Sequence, residues 1–199
     1  MSVLTDINSE IEICQNCELA KRRTKAVPGE GPENAKIMFI GEAPGWHEDQ
    51  QGRPFVGPAG QFLEQLLASI GLKRQDVYIA NVIKCRPPGN RDPLPGEIQA
   101  CSKWLNRQVE IIKPKMIVTL GRYSMAKYFP NESIGKIHGK ARTSDNTIYF
   151  AMYHPAAALH QASLRKVIED DMLKIPQLLV EAEKPQPASE PEPQQLSFF

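Results

Sequence analysis

Acidic and imidazole side chains stand directly after an apolar segment near the start of this sequence. The stretch IMFIGEAPGWHED, residues 37–49, leaves an apolar run and at once presents Glu42, His47, Glu48 and Asp49 among glycines and a proline. Side chains of these types act as general acids and bases, orient water and stabilise charge that develops during a reaction. A simple connection between two elements does not need so many carboxylates, so the stretch predicts a site of chemistry.

An amide, a glycine and an imidazole lie within or at the end of three later apolar segments. Asn81 lies within VYIANVIK, Gly121 ends KMIVTLG, and His154 follows TIYFAMY. Each segment has the length and composition of a buried strand. Ligands bind beyond the carboxyl ends of the strands in open parallel sheets, so we expect Glu42, Asn81 and His154 to meet at one edge of a sheet.

The four cysteines form a second group with a chemically meaningful spacing. Cys14 and Cys17 make a CxxC pair, and Cys85 and Cys101 follow with fifteen residues between them. Four thiolates are a ligand set of structural zinc and of iron–sulfur clusters, and the number of ligands alone leaves both open. Two disulfides would conflict with the cytoplasmic location that we expect. With every position filled by protein, the site would be structural.

Length and composition limit the class of protein. The chain has 199 residues, 41% of them hydrophobic, and its net charge of +1 leaves the class of partner open. It has room for one α/β domain with a single core. We find no signal peptide and no apolar run of the roughly 20 residues that span a membrane. We therefore expect a cytoplasmic protein without a membrane partner, and a monomer.

Alternating strands and helices would position the chemical groups. The pattern predicts a three-layer α/β/α sandwich around a central four-stranded, mostly parallel sheet. Residues 1–183 would form this domain, whereas the Pro- and Glu-rich residues 184–199 have too few large apolar side chains to fold. The predicted strands are residues 36–41, 77–84, 115–121 and 147–153. The predicted helices are residues 2–13, 58–70, 97–113, a short one ending near 129, and 163–182 with a kink near Pro176.

Taken together, four motifs resemble the family 4 uracil-DNA glycosylases over about residues 10–182. GEAPGWHED is similar to the family's first motif, and GRPFVGPAGQFL follows it as in the family. NVIKCRPPGNRDPLPGEIQAC matches the segment with the third and fourth cysteines, and HPAAAL is similar to the second catalytic motif. The resemblance implies an enzyme that flips uracil out of single- and double-stranded DNA and hydrolyses its N-glycosidic bond in base excision repair. It also implies a structural [4Fe–4S] cluster rather than zinc.

The resemblance assigns the chemistry to residues that follow the predicted strands. Cleavage builds positive charge on the sugar and negative charge on the departing uracil. Glu42 would position or activate water and stabilise the sugar cation, and Asp49 or Glu48 would share this work. His154 would donate a hydrogen bond to O2 of the developing uracil anion.

The resemblance also assigns the residues that hold the base. Phe55 would stack on uracil, with ordinary core packing as the alternative for this ring. Asn81 would pair with N3–H and O4, an edge that cytosine does not present with the same order of donor and acceptor. The loop after the first strand would approach the base closely through Gly41, Ala43 and Gly45.

Contacts to the DNA outside the pocket form a further set of expectations. Leu159 would fill the space that the flipped nucleotide leaves. Basic side chains would bind phosphates and make DNA binding dependent on salt. The predicted phosphate contacts are Arg86, Arg91 and Lys140, with Lys84, Lys136, Arg142, His160 and Gln161 as further candidates.

One departure from a related subgroup bears on the mechanism. That subgroup carries a basic loop, KRRIH, after the second strand, and its His captures the sugar covalently. The corresponding stretch here is RPPGNRDP, which contains no His. We therefore expect hydrolysis without a covalent intermediate.

The last five residues, QLSFF, resemble the bacterial pentapeptide that binds the replication sliding clamp. Short anchors at the end of a flexible segment are a common device for recognising a groove. The clamp would be bound by Gln195, Leu196, Phe198 and Phe199. The alternative is a tail whose aromatic side chains pack onto the domain.

Two other functions fit parts of the sequence. A noncatalytic iron–sulfur DNA-binding accessory protein could share the scaffold, but it would not need the full set of carboxylate, amide and imidazole. An enzyme acting on free nucleotides would need a phosphate loop, and the GxxxxGK[ST] pattern does not occur.

Overall fold

Five strands in the centre of the molecule carry the predicted site. A computed structural model describes residues 3–183 of the chain. Within them the sheet has the order β2-β1-β3-β5-β4, in which β4 alone is antiparallel. The strands are β1 (Ile37–Gly41), β2 (Tyr78–Asn81), β3 (Met116–Leu120), β4 (Ala141–Ser144) and β5 (Thr147–Met152).

Helices cover both faces of this sheet. Several begin and end where the sequence has the appropriate residue: α3 starts at Pro58 and stops before Gly71, which has φ +74°. Three short 3₁₀ turns lie at Glu18–Lys21, Arg74–Asp76 and Pro88–Asn90. The α-helices in the described residues are α1 (Val3–Glu12), α2 (Trp46–Gln51), α3 (Pro58–Ser69), α4 (Pro95–Ile112), α5 (Arg122–Tyr128), α6 (Ile134–Ile137), α7 (Pro155–His160), α8 (Ser163–Met172) and α9 (Ile175–Glu183).

The core consists of two layers separated by the sheet. Alternate residues of β1 point to opposite faces, so Met38 and Ile40 pack with α1 and α4, while Ile37 and Phe39 pack with α3, α8 and α9. Every residue of β1, β2 and β3 is buried, which explains their continuous apolar sequence. The predicted three-layer α/β/α sandwich is confirmed.

The strand that the sequence analysis missed is β4. Its residues, ARTS, are polar and largely exposed, so they lack the apolar pattern of a strand. The strand forms because a two-residue turn pairs it with β5. Asp145 and Asn146 both have positive φ, 50° and 61°, as a type I′ hairpin turn requires. The sheet therefore has five strands instead of the predicted four.

Several boundaries also differ from the prediction. β2 ends at Asn81 rather than at residue 84, because the backbone N–H groups of Val82 and Ile83 turn to the carbonyls of Gly41 and Glu42. The last predicted helix is two helices, α8 and α9, with the break just before Pro176. This proline lies in the first turn of α9, where its missing N–H is not needed.

The order of the strands creates a crevice at their carboxyl ends. The chain passes from β1 to β2 on one side and then to β3 on the other side of β1. Connections diverge at such a switch point, which leaves space above the ends of β1 and β3. The loops that begin at Glu42 and Gly121 therefore border this crevice.

The remaining predictions about the chain as a whole concern a membrane and the C-terminal tail. In the part that the structure describes, each helix is too short or too polar to cross a bilayer. The predicted tail, 184–199, and its four clamp-binding residues lie outside the described residues.

Candidate active site and cysteine site

Glu42 is the first residue after β1, and its surroundings change its acidity. Burial raises the pKa of Glu42 to about 6, the carboxylate of Asp92 adds to the shift, and the guanidinium of Arg122 opposes it. At neutral pH the carboxylate is therefore mostly ionised and is more basic than an exposed one. These are the properties of a group that orients water and accepts its proton.

Glu48, in the first turn of α2, fastens two loops together. Its Oε1 accepts hydrogen bonds from the N–H groups of Val56 and Gly57, both at 2.9 Å, and its Oε2 accepts one from Gly45 at 3.1 Å. The side chain thus joins the loop after β1 to the segment that precedes α3. The structure supports a positioning role for Glu48.

Asp49 is buried and faces a different segment. Its Oδ1 accepts a hydrogen bond from the backbone N–H of Thr24 at 2.9 Å, and its Oδ2 accepts one from the amide of Gln50 at 3.4 Å. It is not among the charges that shift the pKa of Glu42. This placement favours a structural role for Asp49 over the predicted catalytic one.

Phe55 lies over His154 in an unusual backbone conformation. The two rings are stacked, with centroids 5.4 Å apart and an interplanar angle of 24°. Phe55 has φ +52°, a region that costs a non-glycine residue about 1–3 kcal/mol. Arg74 holds this backbone conformation by donating a hydrogen bond to the Phe55 carbonyl oxygen at 2.9 Å. Gly60 packs closely against the same oxygen, since a Cβ at position 60 would lie only 1.9 Å from it. The ring is therefore held rigidly at the site.

Gly41, Phe55 and Asn81 meet at the carboxyl ends of β1 and β2. Gly41 and Asn81 are partners in the parallel register. A Cβ on Gly41 would lie 2.4 Å from Oδ1 of Asn81 and 2.7 Å from the Phe55 ring, so residue 41 must lack a side chain. Asn81 is 2% exposed, and its Oδ1 has no hydrogen-bond partner among the described residues. An unpaired buried acceptor costs about 1–3 kcal/mol, which a bound donor would recover.

His154 is held as a neutral donor at the start of α7. Its Nδ1 accepts a hydrogen bond from the backbone N–H of Ala156 at 3.1 Å, so in the neutral ring the proton is on Nε2. Burial lowers the pKa of His154 to about 4, and the Glu48 carboxylate opposes the shift. Gly121, with φ +89°, allows His154 to pack closely against it, since a Cβ at position 121 would lie 3.1 Å from Cβ of His154.

An ion pair beside Glu42 was not anticipated from the sequence. Arg122, the first residue of α5, pairs with Asp92, and its guanidinium lies over the ring of Tyr123 at 4.9 Å. The position of Arg122 directly after Gly121, at the carboxyl end of β3, was a usable signal. Asp92 lies in an irregular loop, and no local pattern marks it.

The other predicted contacts of the first loop have mixed placements. Ala43 is half-buried and packs against the core on the α1 and α4 face. The N–H of Gly45 is occupied by Glu48 at 3.1 Å. The predicted close approach of the base through Ala43 and Gly45 stays a prediction, and the N–H of Gly45 is already used within the loop.

The predicted DNA contacts fall into four groups. Leu159, on α7, is 50% exposed, as a wedge must be. Arg91 forms two hydrogen bonds with Glu97 in the first turn of α4, and Arg86 donates to Asn90 in its own loop, so both side chains are already held by neighbouring residues. The prediction for Lys84 is wrong, because this side chain is buried. The exposed candidates are Lys136, Lys140, Arg142, His160 and Gln161.

The four cysteines line one small cavity of about 10 Å³. Cys14 and Cys17 follow α1, Cys85 follows β2, and Cys101 lies in α4. All four are free thiols. Burial raises the pKa of Cys101 to about 11, while Lys84 opposes the shift. A metal group is bound by thiolates, so its binding would have to displace the proton from the Cys101 thiol.

The placement of the thiols tests which metal group fits. A single zinc ion needs its sulfur ligands at about 2.3 Å, so the thiols would have to crowd around one point. Residues 3–183 contain no group of three or more His, Cys, Asp or Glu side chains close enough to hold one ion. The four thiols nevertheless share one cavity, so they suit a metal group that thiolates bind, and the ligand set by itself leaves zinc and an iron–sulfur cluster open.

Glu48→Gln is expected to weaken the site without removing a catalytic group. Glutamine keeps one acceptor oxygen but places an NH₂ group opposite a backbone donor, so at least one of the three hydrogen bonds is lost. We expect a loss of about 1–3 kcal/mol in the free energy of unfolding. Denaturant unfolding followed by circular dichroism measures it. Glu33→Gln, at an exposed position, is the control, and equal stability of the two variants would contradict the positioning role.

Comparisons with known proteins agree with this geometry. A protein-family model described as the uracil DNA glycosylase superfamily matches residues 28–174. A type-4 uracil-DNA glycosylase of Sulfurisphaera tokodaii is 50% identical over 190 residues, which cover 90% of this chain and 86% of that protein. The type-4 enzyme of Archaeoglobus fulgidus is 48% identical, covering 89% and 94%. The type-4 enzyme of Thermotoga maritima is 40% identical, covering 84% and 90%.

Proposed function

The chain belongs to the uracil DNA glycosylase superfamily, and from this membership we infer that it is a uracil-DNA glycosylase. It hydrolyses the bond between uracil and deoxyribose in DNA and leaves an abasic site, which is the first step of base excision repair. One observation in the site carries this function. The buried, unpaired Oδ1 of Asn81 lies beside the Phe55 ring, where a base with a donor on its edge would satisfy it.

Base recognition would follow from this arrangement. A flipped uracil that enters beside Phe55 would offer N3–H to Oδ1 of Asn81 and O4 to its NH₂ group. Cytosine has an acceptor at N3 and a donor at C4. Oδ1 of Asn81 would then face another acceptor, and its NH₂ group would face another donor. Gly41 would keep this space open, because any side chain there would fill it.

Bond cleavage would use Glu42 and His154 on opposite parts of the nucleotide. As the N1–C1′ bond breaks, its electron pair leaves with uracil, and Nε2–H of neutral His154 would donate to O2 of the resulting anion. The Glu42 carboxylate would stabilise positive charge on the sugar, orient a water molecule toward C1′ and accept its proton. Since RPPGNRDP contains no His, we propose that water, rather than a protein group, forms the new bond to C1′.

The activity is tested with the purified full chain and oligonucleotides that contain one uracil. We expect strand scission after alkaline treatment for single-stranded DNA and for U·G and U·A duplexes. Matched oligonucleotides with thymine or cytosine at that position serve as controls and should stay intact. Cleavage of none of them by protein with a full complement of metal would refute the glycosylase function.

We further propose that Cys14, Cys17, Cys85 and Cys101 hold a [4Fe–4S] cluster. The shared cavity supports one site for all four thiols, and the resemblance of the cysteine segments to the family 4 enzymes supports a cluster over zinc. The cluster would connect the end of α1 to β2 and α4, so its contribution would be to stability and not to bond cleavage. Free thiols as ligands suit a reducing compartment, and we propose a cytoplasmic location.

We also propose that the C-terminal QLSFF binds a replication sliding clamp. The support is the sequence pattern of Gln195, Leu196, Phe198 and Phe199. Deleting residues 195–199 is expected to leave uracil release from a free oligonucleotide unchanged and to abolish retention on an immobilised bacterial sliding clamp. Clamp binding by the truncated chain would exclude this role.

A further inference from the structure

A buried cation stands beside the four-cysteine site without a carboxylate partner. Lys84 is 1% exposed, and its Nζ donates to Oε1 of Gln108 at 2.7 Å. Gln108 is also buried, and its Nε2 donates to the carbonyl of Pro28 and to the hydroxyl of Tyr78. Among the residues that the structure describes, no carboxylate pairs with Lys84. An unpaired buried ammonium carries a penalty of several kcal/mol, so a negative partner is expected.

A second cation lies at the same cavity. Arg23 donates from Nη1 to Sγ of Cys85 at 3.1 Å and from Nη2 to the carbonyl of Glu12 at 2.6 Å. The backbone N–H of Lys84 donates to Sγ of Cys101 at 3.3 Å. Arg23 and Lys84 both line the cavity that contains the four thiols. Arg23 therefore places positive charge against one thiol, and the Lys84 ammonium, which is bound to Gln108, acts on the Cys101 thiol at longer range.

The positive charges of Lys84 and Arg23 match the negative charge that a cluster with four thiolates would carry. Four thiolates around a cluster core with two positive charges leave a net charge of two minus, which one electron makes three minus. We propose that Lys84, together with Arg23, is the counter-charge of the bound cluster and sets its reduction potential, an inference that rests on the proposed [4Fe–4S] cofactor. The chain from Lys84 through Gln108 to Tyr78 holds the ammonium in place. Lys84 is therefore a positioning and tuning residue and touches no substrate.

The sign of the effect follows from electrostatics. A cation near the cluster stabilises the state with more negative charge, and it does so strongly where water is excluded. Removing that cation makes reduction harder and lowers the reduction potential. A lysine that only filled space would have no such effect when replaced by methionine, which has a similar length.

The test is a redox titration of the full, cluster-loaded chain. Dithionite supplies the electrons, and the absorbance of the cluster reports its reduced fraction. For Lys84→Met we expect the ratio of reduced to oxidised cluster at a fixed potential to fall by about tenfold, or about 59 mV for a one-electron couple. Arg23→Gln should shift it in the same direction but less, because Arg23 is half-exposed. Lys103→Met is the control, an exposed lysine of the same helix as Cys101 whose Nζ lies over the Trp104 ring.

The outcomes separate this inference from the proposed cofactor. Zinc in place of iron and acid-labile sulfide in the wild-type protein would remove the cofactor, and the counter-charge role with it. An iron-loaded protein whose potential is the same in all variants would overturn the counter-charge role alone. If Lys84→Met fails to fold or to hold the cluster, Arg23→Gln decides: a lowered potential supports the role and an unchanged one refutes it.

Discussion

Replacing Glu42 by Gln is expected to slow uracil release by about 10³-fold, within the range that a general base contributes. Glutamine has nearly the same shape as glutamate, but it accepts no proton from water and carries no charge to stabilise the sugar cation. The rate of a single turnover with excess enzyme measures the effect. Because the loss concerns the transition state, affinity for DNA should change by no more than about twofold.

The pH dependence gives a second signature of Glu42. Its pKa is raised to about 6, so the carboxylate is lost as the pH falls through 6 and kcat/KM should fall with it. The pKa of His154, lowered to about 4, keeps this ring neutral over the same range. The acidic limb near pH 6 should therefore be absent from the residual activity of Glu42→Gln.

A matched substitution distinguishes the catalytic effect from a general loss of negative charge. Glu33→Gln removes an exposed carboxylate from the segment before β1 and should leave the rate unchanged. Binding is measured by fluorescence anisotropy on a duplex that contains 2′-fluoro-2′-deoxyuridine, which resists cleavage. If Glu42→Gln weakened binding as much as it slowed cleavage, Glu42 would be a binding residue.

His154→Ala is expected to slow uracil release by about 10²–10³-fold, the usual effect of removing one donor to a developing anion. The donor is Nε2–H, because Nδ1 is occupied by the backbone N–H of Ala156. His154→Gln supplies a side-chain N–H at a similar reach and should recover part of the loss. The comparison uses the single-turnover rate of both variants.

A structural explanation of the His154 effect predicts a different result. The imidazole also supports the Phe55 ring, so its removal affects packing as well as chemistry. If packing were its main role, His154→Gln would be no more active than His154→Ala, and both would lose DNA affinity in proportion to rate. Rescue of the rate by glutamine at equal affinity identifies a hydrogen-bond donor.

The sequence predicted the position of those functional side chains that lie at the end of a strand. Glu42, Asn81 and His154 each stand at or just after a buried apolar strand, and parallel strands end at one edge of a sheet, so their convergence was predictable. The same reasoning applied to Gly121 could have been extended by one residue to Arg122. The three-layer fold was predictable because continuous apolar strands require cover on both faces.

Other features depend on contacts that no local pattern records. Asp49 and Glu48 are adjacent carboxylates in one helical turn, yet one binds Thr24 and the other binds Val56 and Gly57. Their different roles follow from the packing of distant segments around α2. Lys84 likewise has the sequence context of a basic surface cluster, and only the position of α4 over β2 shows that it is enclosed.

The edge strand β4 has a consequence for behaviour in concentrated solution. An open sheet edge exposes unpaired N–H and C=O groups that invite strands of other molecules to add on. At this edge the strand is only four residues long, is exposed and carries the charged Arg142, so it is a poor template for such addition. At the opposite edge Glu30 exchanges both backbone hydrogen bonds with Ile79 of β2, at 2.9 and 2.8 Å. Both margins of the sheet are thus protected against intermolecular β-aggregation.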